Sequence, residues 1–306
     1  MPSRADRQLP RGEEIFLDHV GHFVPDAEAA SRALARAGFA PTPLSIQVNP
    51  DAGGGAPRPT GTGNITAMLA QGYVEVLFRT ADTPLAREFD AALARHAGVH
   101  LAALAVADAA AAHRRLARER FRMRPLVEMQ RPVDADGRPG IAAFTSARLE
   151  AGEMPEGRLQ MLTHRSEPMV WQPRWLTHPN GARALTRVLI AVADLEEAAA
   201  RFNRFTGRAA ARTPSGQTIE LDRGRVELLG ADHLVRLLPE LSIPSLPFIA
   251  AYGIAVRSLA TLATILEQAG LPVRQDARQA TVIFPPELGH GAWLFEEDDA
   301  PPGKAA

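Results

Sequence analysis

The stretch FLDHVGHFVPDAEAASRALARAGF, residues 16–39, contains a complete strand-to-helix transition and sets the pattern for the chain. Apolar residues alternate up to Val24, the carboxylate of Asp26 can cap a helix, and an Ala-rich segment runs on to Gly38. The same Val-x-Asp or Val-x-Ser opening returns at residues 106–108, 192–194 and 256–258. Four copies of one strand-to-helix phrase predict an internal repeat.

Short runs with strand character follow each predicted helix. In the first repeat they are PLSIQVN, GNITAMLA and GYVEVLFR, and in the second RPLVEMQRP, IAAFTSARL and GRLQMLTH. Each module therefore reads strand–helix–strand–strand–strand, and a sheet covered by a helix on one face must bury its other face against a second module. We predict an α+β fold of four βαβββ modules in two pairs, each pair forming a cupped mixed sheet with helices outside.

The predicted domain organisation follows from where this pattern is interrupted. The first pair of modules takes residues 15–169 and the second pair residues 183–298. The segment VWQPRWLTHPNGA, residues 170–182, has prolines and an Asn-Gly turn and is predicted to be a linker. Residues 1–14 and 299–306 are predicted to be flexible tails.

Composition excludes several classes of function. Lys plus Arg total 34 against 35 Asp plus Glu, so no basic excess indicates a nucleic-acid partner. No apolar run is long enough for a transmembrane helix, and nothing at the N-terminus is typical of a secretory signal. The absence of cysteine excludes thiolate metal sites and disulfides. We expect a cytoplasmic protein that acts on a small-molecule substrate. A homodimer is compatible with the sequence.

The chain resembles the vicinal oxygen chelate superfamily, specifically its glyoxalase-like and bleomycin-resistance-like domains. The resemblance is carried by LDHVGHFVPD (residues 17–26), GTGNITAMLAQGYVEVLF (61–78), RLQMLTHRSEPMVWQPRW (158–175) and the following HPNGA. It implies a divalent metal ion in the cup between paired modules, with ligands from the first and last strands of each module. In the first module these positions are His19 and Glu75.

Strand alternation in the residues themselves supports this pair. In YVEVLF the residues Val74, Val76 and Phe78 share the face that packs under the helix, which leaves Glu75 in the cup with Tyr73. A carboxylate in so apolar a strand is costly to bury unless a cation pairs with it. The same parity directs His19 inward and His22 towards the helix, where we interpret it as a packing residue. Histidine with glutamate suits Zn, Ni, Mn or Fe.

The second module departs from the family pattern. The position matching His19 is Leu101, and the neighbouring His100 reaches the same face only if a bulge shifts the strand by one residue. The position matching Glu75 is Gln160, an amide in place of a carboxylate. We predict His19, Glu75, Gln160 and His100 as metal ligands, and Asn64, Tyr73 and His164 as substrate-binding residues.

The second pair of modules is predicted to lack a site. Its ligand positions read Arg187, Glu227, Ala251 and Leu294, of which only Glu227 matches the pattern. The functional cup is therefore placed in the first half of the chain.

Three functions remain open at this point. The resemblance favours a metal-dependent lyase or isomerase acting on a small carbonyl or vicinal-oxygen substrate, with the carboxylate of Glu75 as the general base. An Fe(II) ring-cleaving dioxygenase would need a second, correctly placed histidine, for which His100 is available. A non-catalytic drug-binding protein of the bleomycin-resistance kind is favoured by Leu101 and Gln160 at two of the ligand positions.

Overall fold

The computed structural model describes residues 7–49, 51 and 53–298. The predicted tail 299–306 and the first six residues of the predicted tail 1–14 lie outside this range. The first half of the chain consists of β1 (Ile15–Phe23), α1 (Ala27–Arg36), β2 (Ser45–Asn49), β3 (Arg58–Met68), β4 (Tyr73–Arg79), α2 (Pro84–Leu93), β5 (Gly98–Val106), α3 (Ala109–Arg118), β6 (Val127–Ala135), β7 (Arg138–Arg148), β8 (Arg158–His164) and α4 (Glu167–Val170).

The second half repeats the order of the first. It consists of β9 (Ala182–Val192), α5 (Leu195–Thr206), β10 (Ala210–Thr213), β11 (Gly216–Glu220), β12 (Arg225–Gly230), α6 (Ala231–Leu237), β13 (Phe248–Val256), α7 (Leu259–Gln268), β14 (Arg274–Gln275), β15 (Gln279–Ile283) and β16 (Ala292–Glu297). Short 3₁₀ turns cover Pro173–Trp175 and Pro286–Leu288. The four βαβββ modules are therefore confirmed, with α2, α4 and α6 as helices that the repeat pattern did not predict.

The predicted helix caps explain where the four module helices begin. The carboxylate of Asp26 accepts from the backbone N–H of Ala29 at 2.9 Å, and Asp108 and Asp194 cap α3 and α5 in the same way. At α7 the cap is the hydroxyl of Ser258. Each cap satisfies backbone N–H groups that the first helical turn leaves unpaired.

The two halves arrange their eight strands differently. In the first half the sheet closes into a barrel in the order β1-β4-β3-β2-β6-β7-β8-β5, whereas the second half forms an eight-stranded sheet in the order β10-β11-β12-β9-β13-β16-β15-β14. Between β2 and β6 the register contains one residue pair, Val48 with Gln130. The cup predicted for the first half is thus closed all round, and a closed barrel encloses its inward-facing side chains.

A buried polar cluster joins the two halves. His22 on β1 bonds the carbonyl of Leu288 through Nδ1 at 2.9 Å and the hydroxyl of Tyr252 through Nε2 at 2.8 Å. The indole N–H of Trp293 donates to the same hydroxyl at 2.7 Å. Since a carbonyl only accepts, Nδ1 of His22 carries the proton, and burial lowers the pKa of His22 to about 4. His22 is a packing residue with both ring nitrogens satisfied.

Substituting Tyr252 tests how much this cluster stabilises the fold. Tyr252→Phe leaves Nε2 of His22 and the indole N–H of Trp293 without their partner. We expect the free energy of unfolding to fall by about 2–4 kcal/mol, because each unpaired buried polar group costs about 1–3 kcal/mol. Urea denaturation of both proteins measures this difference, and a loss below about 0.5 kcal/mol would show that water or a shifted side chain replaces the hydroxyl.

Candidate functional site

The interior of the closed barrel contains a small polar cavity. Its free volume is about 50 Å³, which is room for a handful of non-hydrogen atoms, since one water needs roughly 10–15 Å³ of such space. The lining side chains come from every strand of the barrel: His19, Gln47, Asn64, Tyr73, Glu75, Leu77, Leu101, Met129, Gln130, Arg131, Phe144, Ser146, Arg148, Arg158, Gln160 and Leu162. This cavity is the candidate site.

A β-bulge in β1 shapes the first wall of the cavity. Leu17 pairs with Leu104 and His19 with Ala103, so Asp18 is the extra residue between them. The bulge places Leu17 in the main apolar core, while Asp18 and His19 contact each other inside the barrel. The predicted parity, which put Leu17 and His19 on one face, is corrected by this single extra residue.

Asp18 connects two histidines. Its Oδ1 accepts from Nδ1 of His19 at 2.6 Å, and its Oδ2 accepts from Nε2 of His164 at 2.8 Å. Burial alone would raise the pKa of Asp18, but its interactions with His164 and His19 outweigh burial and hold that pKa below its ordinary value. The carboxylate is therefore ionised and fixes the ring of His19 with Nε2 directed to the cavity.

Glu75 stands beside His19 on the neighbouring strand. Its Oε2 lies 3.6 Å from Nε2 of His19, while its Oε1 accepts from Asn64 Nδ2 at 2.6 Å and from Gln47 Nε2 at 3.4 Å. The tight turn before β4 makes this approach possible: Gly72 has a φ of +75°, and a Cβ there would lie 2.6 Å from the carbonyl oxygen of Asp18. Two donors thus hold one carboxylate oxygen and leave the other facing His19.

Tyr73 and Gln160 complete the predicted residues at the cavity. The ring of Tyr73 stacks on His19 with centroids 4.4 Å apart, and burial raises the pKa of its hydroxyl, which keeps it neutral. Gln160 is in register with Ala103, which pairs with His19, so only one small residue separates them across the sheet. The Oε1 atom of Gln160 is buried with no hydrogen-bond partner among the described residues.

The structure does not bring His100 or His164 to the cavity. Nε2 of His100 bonds the carbonyl of His96 at 2.7 Å, its ring stacks on His96, and it lines a separate outer cavity. A second register shift, between Gly21 and His22, places it near Phe23 at the end of the barrel. His164, predicted to bind substrate, is fully buried behind Asp18 and donates to its Oδ2. The dioxygenase alternative thus loses the second histidine on which it depended.

The donor atoms at the cavity suit the divalent ion implied by the resemblance. Within the part of the chain that the structure describes, no group of three or more His, Asp or Glu side chains is arranged to hold a metal. The donors are instead Nε2 of His19, the carboxylate of Glu75 and the orphaned amide oxygen of Gln160. A carboxylate on the other ring nitrogen, as Asp18 provides, is the usual second partner of a metal-binding histidine.

Sequence reasoning missed Asp18 and three arginines. Arg131 on β6, Arg148 on β7 and Arg158 on β8 all line the cavity. Their signal was present, because Arg131 alternates with Met129, and Arg148 with Ser146, in runs already read as strands. The bulge that turns Asp18 inward has no comparable signature in the sequence.

The equivalent positions in the second half form no site. Glu227 bonds Arg225 at 2.6 Å and lies 3.6 Å from Arg187, while Ala251 and Leu294 are buried in an apolar cluster. The polar pair is satisfied by itself, and the apolar pair belongs to the packing of the sheet. In the described range 7–298, which omits residues 50 and 52, no helix is long and apolar enough to cross a bilayer.

Comparisons with known proteins identify what this barrel is similar to. The family model of the glyoxalase-like domain matches residues 17–206. A comparison with curated proteins found no match. Among solved structures, a hypothetical protein from Staphylococcus aureus matches with a TM-score of 0.62 and 11% identity, covering 93% of this chain and 100% of that one.

Two further solved structures cover most of the chain. A triple mutant of 4-hydroxymandelate synthase from Streptomyces coelicolor matches with a TM-score of 0.55 and 12% identity, over 95% of this chain and 94% of that one. The Mn(II)-bound glyoxalase from Novosphingobium aromaticivorans matches with a TM-score of 0.52 and 14% identity, over 94% and 83%. At these identities the similarity shows the fold and carries no activity with it.

Proposed function

The chain belongs to the glyoxalase-like domain family of the vicinal oxygen chelate superfamily, and we propose that it is a metal-dependent enzyme of lyase or isomerase type acting on a small carbonyl substrate. One observation carries the proposal: Nε2 of His19 and Oε2 of Glu75 converge to 3.6 Å at the cavity inside the barrel. Among the residues that the structure describes, neither atom has another hydrogen-bond partner, so both are available to one ligand.

His19 and Gln160 would hold the ion together with Glu75. Asp18 prepares His19 for this role, because its hydrogen bond keeps the proton on Nδ1 and leaves the lone pair of Nε2 in the cavity. Gln160 offers an amide oxygen without a protein partner. A divalent ion bound here would act as a Lewis acid on a substrate carbonyl oxygen.

Glu75 is the residue that we assign to proton transfer. Asn64 and Gln47 hold its Oε1, so Oε2 is the oxygen that faces the cavity. Once released from the ion, Oε2 would accept a proton from a carbon next to a carbonyl group and return it to a neighbouring atom. Glu75 is only 5% exposed, which favours proton exchange with a bound substrate over exchange with solvent.

Metal titration tests this proposal directly. Protein stripped with EDTA is titrated with Zn²⁺, Ni²⁺, Mn²⁺ and Fe²⁺ in a calorimeter, and we expect one ion per chain for at least one metal. His19→Ala is expected to weaken that binding by about 100-fold or more, because a lost ligand costs more than the 10–100-fold of a lost supporting contact. Its far-UV circular dichroism should not change, since the side chain faces the cavity.

The control is His113→Ala, which removes a histidine on α3 whose Nε2 bonds the carbonyl of Arg124 outside the barrel. This variant should bind metal like the wild type. A wild-type protein that folds stably and binds no divalent ion, or equal affinity in His19→Ala, would contradict the proposal and favour a non-catalytic binding protein.

A further inference from the structure

We infer that the substrate carries a carboxylate, which Arg131 and Arg148 bind on the barrel wall facing His19 and Glu75. The inference rests on the proposed function in placing the substrate in this cavity. It adds the chemical class of the substrate and the residues that recognise it.

The strand order separates the cavity into two walls of different chemistry. In the closed barrel β4 and β7 are four strands apart in either direction, as are β1 and β6. The strand of Glu75 is therefore opposite that of Arg148, the strand of His19 is opposite that of Arg131, and Glu75 attracts both guanidinium groups. One wall provides Nε2 of His19 and the carboxylate of Glu75, and the other provides the two guanidinium groups, with Gln160 beside Arg148 on the neighbouring strand. A ligand with an anionic end and a carbonyl end would span the two.

Arg131 and Arg148 are buried charges without an acidic partner in contact. Each is 8% exposed. Among the described residues, Arg131 makes no side-chain hydrogen bond or ion pair, and Arg148 contacts only the sulfur of Met129, at 2.7 Å from Nη2, with its Nε unpartnered. Burial lowers the pKa of Arg148 to about 9, an effect to which Arg158 adds. Glu75 attracts both guanidinium groups without touching either of them, and buried arginine is rare unless it is paired, so a bound anion would supply the missing direct partner.

Arg158 has a different role, because its charge is already balanced. Its Nη2 lies 3.2 Å from Oε2 of Glu88, and its guanidinium lies over the rings of Phe23 and Phe89 at 5.5 and 5.3 Å. Because Glu88 already pairs with Arg158, Arg131 and Arg148 are the two cavity arginines that are available to bind an anion.

A larger outer cavity, beside the inner one, carries positive charge that would attract an anionic substrate. It has a volume of about 550 Å³ and shares Arg148 and Arg158 with the inner cavity, so these two side chains stand between them. Besides these two arginines, Arg95 and Arg124 also line the outer cavity, which makes four arginines in all. Only two acidic residues, Glu88 and Glu150, line it. A positive path concentrates anions at the entrance of a site.

The small cavity favours a carboxylate over a phosphoryl group. One guanidinium can donate two parallel hydrogen bonds to a carboxylate or to a phosphate, but a tetrahedral phosphoryl group is bulkier than a planar carboxylate. About 50 Å³ suits a ligand of a few heavy atoms with one carboxylate.

The test compares two isosteric ligands on metal-free protein. Pyruvate and pyruvamide differ in one atom, the carboxylate oxygen that becomes an amide nitrogen, and in charge. We expect pyruvate to raise the melting temperature further at each higher concentration, with the logarithmic dependence of a bound ligand, and to bind about 10-fold or more tightly than pyruvamide, the range for a charge-assisted hydrogen bond. Arg148→Gln and Arg131→Gln should each abolish this preference.

Arg138→Gln is the matched control, since Arg138 is exposed at the other end of β7. It should keep the preference for pyruvate. Equal binding of both ligands to the wild type, an unchanged preference in Arg148→Gln, or tighter binding of inorganic phosphate than of pyruvate would each overturn the inference. Both glutamine variants must show wild-type circular dichroism. Because this titration contains no metal, its failure is distinguishable from failure of the metal titration.

Discussion

Asp18→Ala is expected to lower the free energy of unfolding by about 3–5 kcal/mol, the cost of removing one partner from a buried charged network. Asp18 is fully buried and accepts hydrogen bonds from both His19 and His164. Without it, two buried imidazoles lose their common acceptor, and the bulge in β1 loses the contact that fixes its inward side chain. Guanidinium denaturation at pH 7 measures the difference.

Asp18→Asn separates the loss of the negative charge from the loss of the side chain. Its amide keeps the shape and one acceptor oxygen, so stability should fall less than in Asp18→Ala. Because the tautomer of His19 is no longer fixed, divalent-metal affinity should still fall by about 10–100-fold, the usual range for a supporting partner of a ligand. If Asp18→Ala costs less than about 1 kcal/mol, the buried network does not stabilise the barrel as we describe.

Glu75→Gln is expected to weaken divalent-metal binding by about 100-fold or more, because it removes the one charged ligand at the cavity while conserving shape. The amide can still bond Asn64 and Gln47. The loss of a buried carboxylate removes its desolvation cost but also its attraction to Arg131, Arg148 and Arg158, so the stability of the metal-free protein should change little. Calorimetric titration and urea denaturation measure the two effects.

Glu227→Gln serves as the control for Glu75→Gln, since it changes the same residue type at the equivalent position of the third module. Glu227 pairs with Arg225 away from the cavity, so metal affinity should not change. Comparable weakening in both variants would indicate a general electrostatic effect instead of lost ligation.

The repeat, the strands and the central pair of the site were predictable because each depends on local chemistry. An Asp or Ser that caps a helix directly after a strand marks the start of that helix. The repeated Val-x-Asp or Val-x-Ser pattern therefore predicted the positions of all four modules. Alternation placed Glu75 and Tyr73 inside the barrel without knowledge of their neighbours.

The remaining features depend on pairing between distant strands. A bulge adds one residue to β1 and changes which side chains share a face, so Asp18 enters the barrel and Leu17 leaves it. Closure of the barrel depends on the single Val48–Gln130 pair between β2 and β6. The arginine wall exists only because closure brings β6 opposite β1 and β7 opposite β4. None of these follows from residues close in sequence.

Anomalous diffraction from crystals of the Zn²⁺-loaded protein tests the central claim most directly, because it locates the ion without assuming its ligands. We predict one strong peak in the barrel of the first half, within about 2.0–2.2 Å of Nε2 of His19 and of an oxygen of Glu75. A fully loaded crystal with no peak between these two side chains, or with its strongest peak at residues outside this cavity, would contradict the account.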